Sequence, residues 1–220
     1  MQDASNEARS ELQAAGRYMM EHGLAWGNAG NISVRTGGDR YLITASGTFL
    51  GELGDDDFVE CTFAGAMSPE GRKASKEKPM HRAVYETRPD VGAVLHASPF
   101  YSTLFACADE PVPSDLFVET MYYLERVERV PYRHPGSEAL GEAVREKAGR
   151  ANVLLLDHHG VLVYDTTVRE ARMALQTLEM ACRMAATARS AGIGLARLSA
   201  GTAGDFLERA GYKPRREWPS

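Results

Sequence analysis

The chain is short of cysteine. It has three, Cys61, Cys107 and Cys182, an odd number at wide spacing with no CxxC pair. That excludes a disulfide framework and a cysteine-built metal or redox centre, and it reads as core thiols in a reducing compartment. Long apolar runs are missing, so no segment reads as a membrane span. The opening residues, MQDASNEARSELQAAG, lack the basic-then-apolar order of a secretory signal. These absences predict a cytoplasmic protein with no membrane partner. An excess of positive charge is missing too: the formal net charge is −5, and nucleic-acid binding needs a basic face to meet phosphate. No nucleic-acid partner is expected, although local basic groups can still recognise one small anion. Internal repeats, low-complexity tracts and linkers are absent as well.

What is present is an ordinary globular balance. With 220 residues, 44% of them hydrophobic, the chain can bury a core without staples. The reading is one domain over residues 1–220. Ala8, Leu12, Ala15, Met19 and His22 recur at spacings of three and four, the stripe of an amphipathic helix that Gly23 would stop. From Trp26 to Phe63 short runs broken by Gly- and Asp-rich turns predict antiparallel strands, at Ile32–Val34, Tyr41–Thr44 and Phe58–Phe63. A helix is predicted over Lys78–Thr87, ended by Pro89. Val91–His96 reads as a buried strand, followed by a helix from Pro99 towards Cys107.

Pro111 to Gly136 reads as irregular connections around one short element. A helix follows from Glu138 to about Ala148. The runs Val153–Leu156 and Val161–Tyr164 flank a tight turn at Asp157-His158-His159-Gly160. Thr167 and Glu170 form a capping-box pair opening a long helix with Ala171, Leu175, Leu178, Cys182 and Ala185 on its apolar face. Beyond Ser199 patterning is weak, and the tail from about residue 200 reads as either a mobile lid or a solvated end.

Six histidines are available: His22, His81, His96, His134, His158 and His159. His96 ends an apolar strand and His159 lies in the turn closing another. Strand ends bring distant parts of a chain together, and neutral imidazole is the commonest metal ligand. Capping of strand ends by hydrogen bonds is the alternative for both, and the preferred reading for His22 and His134. Glu77 lies just before a helix, where a carboxylate commonly serves the helix dipole. Gly30-Asn31 and Ser46-Gly47 offer polar side chains and open amides of the kind that cradle an anion, though most such pairs are turns.

Five motifs in order, WGNAGNISVR from Trp26, ITASG from Ile43, SKEKPMH from Ser75, AVLH from Ala93 and LLDHHGVLV from Leu155, resemble the class II aldolase/adducin family. Fuculose-phosphate aldolase and ribulose-phosphate epimerase are its familiar enzymes. The resemblance runs from about Ala8 to near Ala191. It implies an α/β fold with a central, mainly antiparallel sheet flanked by helices in three layers. It implies a divalent metal, zinc first, with manganese, cobalt and iron as the other metals. The histidine positions of such enzymes match His96 and His159 here, and Glu77 matches the acid/base glutamate. A third metal-binding histidine is replaced by Ser98, a poorer ligand. The family's asparagine before His159 is replaced by His158, whose side chain should point away from its neighbour's on an extended segment. Together His96, His159 and Glu77 could form a two-histidine, one-carboxylate site.

By the same resemblance, Asn31, Ser46, Gly47 and Ser75 would hold a substrate phosphate. Lys76 stands where the family has a second serine, so it either adds a cation to that site, where a carboxylate could replace the phosphate, or points to solvent. His81 falls at a position of packing or supporting hydrogen bonds. Tyr122, Tyr123 and Tyr212 are the local counterparts of tyrosines that family enzymes draw from a neighbouring subunit and from the tail. A homotetramer is implied. The leading functional reading is a metal-dependent lyase of carbohydrate metabolism. It would cleave a carbon–carbon bond through an enediolate in a small phosphorylated or carboxylated hydroxy-carbonyl substrate. The alternatives are a divergent decarboxylase, epimerase or biosynthetic enzyme with an altered metal site, and a non-catalytic adducin-like interaction domain. Glu77 with His96 and His159 favours an enzyme; Ser98 argues the other way.

Overall fold

The computed structural model describes residues 2–65 and 71–218. Helix α1 (Gln2–Glu21) leads into an antiparallel trio, β1 (Asn31–Gly37), β2 (Arg40–Thr44) and β3 (Phe58–Thr62). Then come α2 (Lys78–Thr87), β4 (Ala93–Ala97), α3 (Phe100–Ala106), α4 (Val118–Tyr123) and β5 (Val127–Val130). The chain continues through α5 (Glu138–Ala148), β6 (Val153–Leu156), β7 (Gly160–Asp165), α6 (Val168–Ala191) and α7 (Ala200–Arg209). The strands form one sheet in the order β3-β2-β1-β4-β7-β6-β5. Every neighbouring pair is antiparallel except β5 with β6. The expected mainly antiparallel α/β sheet is therefore present.

Side-chain alternation along the strands divides the interior into two cores. Ala93, Leu95 and Ala97 of β4, with Val161 and Val163 of β7, face a core that includes Leu12 and Met19 of α1 and Leu175 and Leu178 of α6. Val94, Leu162 and Tyr164 face the other core, with Met80 and Val84 of α2 and Leu140 and Val144 of α5. Both faces of the central strands are covered, which is why their sequences are near-continuous apolar runs. Among the described residues no helix is long and apolar enough to cross a membrane.

Several expectations change on contact with the structure. His22 is not part of the buried stripe; it is exposed past the end of α1, stacked on Tyr18 at 3.8 Å. The stretch from Pro111 to Gly136 holds two short elements, α4 and β5. Strand β5 was hidden by two charged residues, Glu128 and Arg129, on a four-residue sheet edge. Only half of the capping box forms: Thr167 accepts from the Glu170 amide, while the Glu170 carboxylate binds Lys213 and Tyr123 instead. Cys61 and Cys182 are core thiols, but Cys107 is exposed.

The tail folds back on the domain while most of its residues stay exposed. Ser199 caps α7, whose Phe206 and Leu207 pack on the first core. The chain then runs as a strap past the ends of α4 and β7. There Tyr122 Oη donates to the Pro214 carbonyl at 3.1 Å, Lys213 pairs with Glu170 and Arg215 with Glu125. Arg216 pairs with Asp165, and both side chains are nearly inaccessible to water. The guanidinium groups of Arg88 and Arg126 both lie over the Trp218 ring, at 5.2 and 4.5 Å from its centroid.

Candidate metal centre and active-site cleft

Asn31 of β1 and His96 of β4 are directly opposed in the antiparallel register, on the sheet face that α2 covers. Two glycines let the chain crowd this point. Gly30 has φ +107, and a Cβ there would meet the His96 carbonyl at 2.7 Å. Gly160 has φ +150, and a Cβ there would meet the Ala97 carbonyl and the Ser98 hydroxyl, each at 2.6 Å. A side chain at either position would push away the strand that carries His96. His159 reaches the same point from the tight turn between β6 and β7, where Leu156 pairs with Gly160.

Glu77 is the N-cap residue of α2, yet its side chain makes no cap bond. Its carboxylate turns to the histidines instead, with Oε2 3.2 Å from His96 Nε2 and Oε1 3.1 Å from His159 Nε2. The two imidazole rings have centroids 4.7 Å apart, and the three possible ligand atoms all lie within 4.8 Å of one another. His96 Nδ1 lies 3.0 Å from the Val161 carbonyl. That contact calls for N–H at Nδ1 and leaves the Nε2 lone pair facing Glu77.

The surroundings favour the carboxylate form of Glu77 and the neutral form of His96. Burial alone would raise the Glu77 carboxyl, but the adjacent His159 ring, the charges of His96 and His159 and the Asn31 amide together bring it down to about 2. Burial, the dominant influence, lowers His96 below the usual imidazole range. Two buried atoms at the centre, Glu77 Oε1 and His159 Nδ1, have no hydrogen-bond partner. A carboxylate oxygen and two imidazole nitrogens at such separations, one carboxylate oxygen unsatisfied, suit a divalent cation with open positions for substrate.

The centre opens into a cleft of about 450 Å³. Of the residues expected to bind an anion, Asn31, Ser46, Gly47, Ser75 and Lys76 all line it. Asn31 and Ser75 are buried, Ser46 is half-buried, and Gly47 and Lys76 are exposed. Ser75 Oγ accepts from the Glu77 amide at 3.2 Å, tying the cradle to the start of α2. Lys76 is exposed, borders the cleft and forms no ion pair among the described residues.

Ser98 also lines the cleft, and its hydroxyl donates to the His159 carbonyl at 3.1 Å. His158 lies outside the centre for a reason other than strand alternation. It has a left-handed backbone, φ 55, and is exposed. His134 is exposed beside Tyr132. Tyr122 and Tyr123 lie under the strap, where Tyr123 donates to Glu170, and Tyr212 meets Tyr122 edge to face at 5.8 Å. Asp165 of β7 there pairs with Ala93, whereas His96 pairs with Leu162, so these tyrosines sit towards the other end of β4.

Sequence reasoning did not single out Trp26, whose indole donates to the Ser98 carbonyl at 3.1 Å and which borders the cleft while 65% exposed. It also missed Ser33 and Tyr85, which join His81 in a buried polar cluster behind Asn31. The signal was there in the spacing of Glu77, His81 and Tyr85, three polar residues on one helix face.

Comparison with known proteins bears on this arrangement. Residues 10–186 match the family described as "Class II Aldolase and Adducin N-terminal domain". A 3-oxo-tetronate 4-phosphate decarboxylase of Haemophilus influenzae is 32% identical over 182 residues, 80% of this chain and 86% of that protein. A 5-methylthioribulose-1-phosphate/5-deoxyribulose-1-phosphate aldolase of Rhodospirillum rubrum is 34% identical over 175 residues, 79% of this chain and 78% of its own. Among solved structures, YgbL of Klebsiella pneumoniae superposes with a TM-score of 0.84 at 29% identity, covering 91% of this chain and 98% of that one.

Proposed function

The chain belongs to the class II aldolase and adducin family, and from that premise we propose that it is a metal-dependent lyase breaking a carbon–carbon bond beside a carbonyl in a small phosphorylated hydroxy-carbonyl substrate. The observation that carries this reading is the convergence of Glu77, His96 and His159 at the floor of a cleft whose wall holds Asn31, Ser46, Gly47, Ser75 and Lys76. A non-catalytic interaction domain has no use for that combination. A divalent cation, zinc first and manganese, cobalt or iron next, would supply a fixed positive charge that polarises the carbonyl and stabilises an enediolate. His96 and His159 would hold it, with Glu77 as the third donor while no substrate is bound.

The remaining roles belong to the chain's own groups. The Asn31 amide, the Ser46 and Ser75 hydroxyls and the Lys76 ammonium would bind and orient the phosphate, fixing the reacting carbon over the centre. Glu77 would carry the proton between substrate oxygen and carbon. The exposed indole of Trp26 would cover part of the mouth and limit water. A homotetramer, a single domain over residues 1–220 and a cytoplasmic setting complete the proposal; the tetramer comes from the family resemblance alone.

Decarboxylation is the second reading, and Lys76 favours it. A cation at the cleft edge with no carboxylate partner among the described residues suits a substrate with a second anionic group. The decarboxylase relative is named for a substrate that has both a carboxylate and a phosphate. Loss of CO2 also asks less of Glu77. Aldol cleavage needs a base to take a hydroxyl proton, whereas decarboxylation needs only a proton returned to carbon.

The test is direct. Protein loaded with zinc, manganese or cobalt is assayed for CO2 release from 3-oxo-tetronate 4-phosphate and for aldehyde release from 5-methylthioribulose 1-phosphate. Cation-dependent turnover that disappears in His159→Ala supports the lyase, and the product identifies which reading holds. Protein that retains no cation and turns over neither compound defeats both.

A further inference from the structure

Helix α2 lies along β1 so that two periodicities interlock. Glu77, His81 and Tyr85 are spaced by four on one helix face, and Asn31 and Ser33 by two on one strand face. Four helical residues advance about 6.0 Å and two strand residues about 6.8 Å, so the two rows mesh as a zip. The contacts run Tyr85 Oη to Ser33 Oγ at 2.8 Å, Ser33 Oγ to His81 Nδ1 at 2.7 Å, and His81 Nε2 to Asn31 Oδ1 at 2.6 Å. Asn31 Nδ2 then donates to Glu77 Oε2 at 2.7 Å. Ser33, His81 and Tyr85 are essentially inaccessible to solvent.

The direction of every bond follows from its end. A carboxylate only accepts, so Asn31 must turn its NH2 towards Glu77 and its carbonyl towards His81. That carbonyl also only accepts, so His81 must have its proton on Nε2. Burial pushes His81 down to about 3, so its ring is neutral and Nδ1 is an acceptor. Ser33 therefore donates to Nδ1, and Tyr85 donates to Ser33. Five groups form one donor-to-acceptor series ending on the carboxylate, and such aligned bonds strengthen one another.

From this series we infer that His81, backed by Ser33 and Tyr85, is a positioning residue that locks the Asn31 amide with its NH2 edge towards Glu77 and the cleft. A free amide could present its carbonyl instead, repelling both the carboxylate and an incoming anion. The locked amide presents one N–H to Glu77, steering that carboxylate at the cation site, and leaves its second N–H for a phosphate oxygen. The consequence depends on the lyase proposed above; the amide orientation does not.

Two measurements test it. Long-range proton–nitrogen-15 correlation on the wild-type protein reads the imidazole tautomer of His81, assigned by its loss in His81→Gln. A proton on Nε2 is expected throughout pH 6 to 9; a proton on Nδ1, or a charged ring, overturns the inference whether or not a cation binds. Co2+ alone is then titrated into wild type, His81→Gln and His81→Leu, read by its visible absorption. Gln keeps an N–H for Asn31 and should retain the wild-type spectrum with nearly wild-type affinity. Leu should weaken Co2+ binding about tenfold or more. Equal affinity and spectra in folded Leu protein, or a Gln variant no better than Leu, overturn it. Should the Leu variant not fold, the tautomer and the Gln variant decide. Wild type that binds no Co2+ would remove the cation site while the tautomer still decides the amide's orientation.

Discussion

Single residues in this protein divide by what their burial leaves them able to do. Burial raises the Cys182 thiol to about 12 and also pushes Cys61 upward, so neither offers thiolate at neutral pH. Cys107, at the C-cap of α3, is exposed. A thiol reagent at pH 8 should therefore modify one cysteine per folded chain and all three after unfolding, with peptide mapping placing the first label on Cys107. Fast labelling of Cys182 in native protein would mean that α6 packs less tightly than described. At the centre, the same reasoning about exposed and hidden atoms explains Ser98. Its hydroxyl donates to the His159 carbonyl, so it secures the turn that carries His159, and its neutral oxygen is a weaker metal donor than the imidazole it replaces.

At the scale of elements, the strap at residues 210–218 is the informative one, because it fastens a polar segment by pairs of very different burial. Arg216 and Asp165 are almost fully enclosed, and Arg216 also donates to the Tyr122 carbonyl at 2.6 Å. Removing one member of a buried pair strands the other's charge. Arg216→Ala should cost about 3 kcal/mol in urea unfolding, and Arg215→Ala, whose side chain is 43% exposed, less than about 1 kcal/mol. Equal losses would show that the difference in burial is not felt.

The strap should also respond to acid. Burial alone would raise the Glu170 carboxyl; the Lys213 and Tyr123 hydrogen bonds outweigh it and hold Glu170 below its ordinary value of 4.5. A lowered carboxyl stabilises the docked form above its unfolded value, and that contribution disappears as pH falls through the folded value. In a Trp26→Phe background, Trp218 fluorescence should stay constant from pH 7 to about 4.5 and change only below it. A transition complete by pH 6 would assign the strap's release to another group.

For the whole molecule, a cation bound at one point should stabilise everything, because Glu77, His96 and His159 come from α2, β4 and the β6–β7 turn and their ligation ties both sheet halves together. At a hundredfold excess over its dissociation constant a ligand adds about 2.7 kcal/mol. For a chain of this length that is a rise in Tm of roughly 5–10 °C. The rise should vanish with a chelator and be absent in His159→Ala. An equal rise in that variant would place the cation somewhere else.

What the sequence determined by itself was local and periodic. The bounds of α2 at Lys78 and Thr87 and of α5 from Glu138 could be read from capping, proline position and apolar spacing, because neighbouring residues decide them. The five motifs identified the family, which brought with it the sheet and the pairing of His96 and His159 with Glu77. Tertiary structure alone decided the rest. Strand β5 exists because β6 offers it a parallel edge, and the strap docks where Asp165, Glu170 and Glu125 pair with its cations. The Asn31 amide, expected to serve a phosphate, also faces Glu77, 46 positions away in the chain. That meeting depends on β1 lying beside β4 beneath α2. Hydrophobic period reports which face of an element is buried, but it carries no information about which other element covers it.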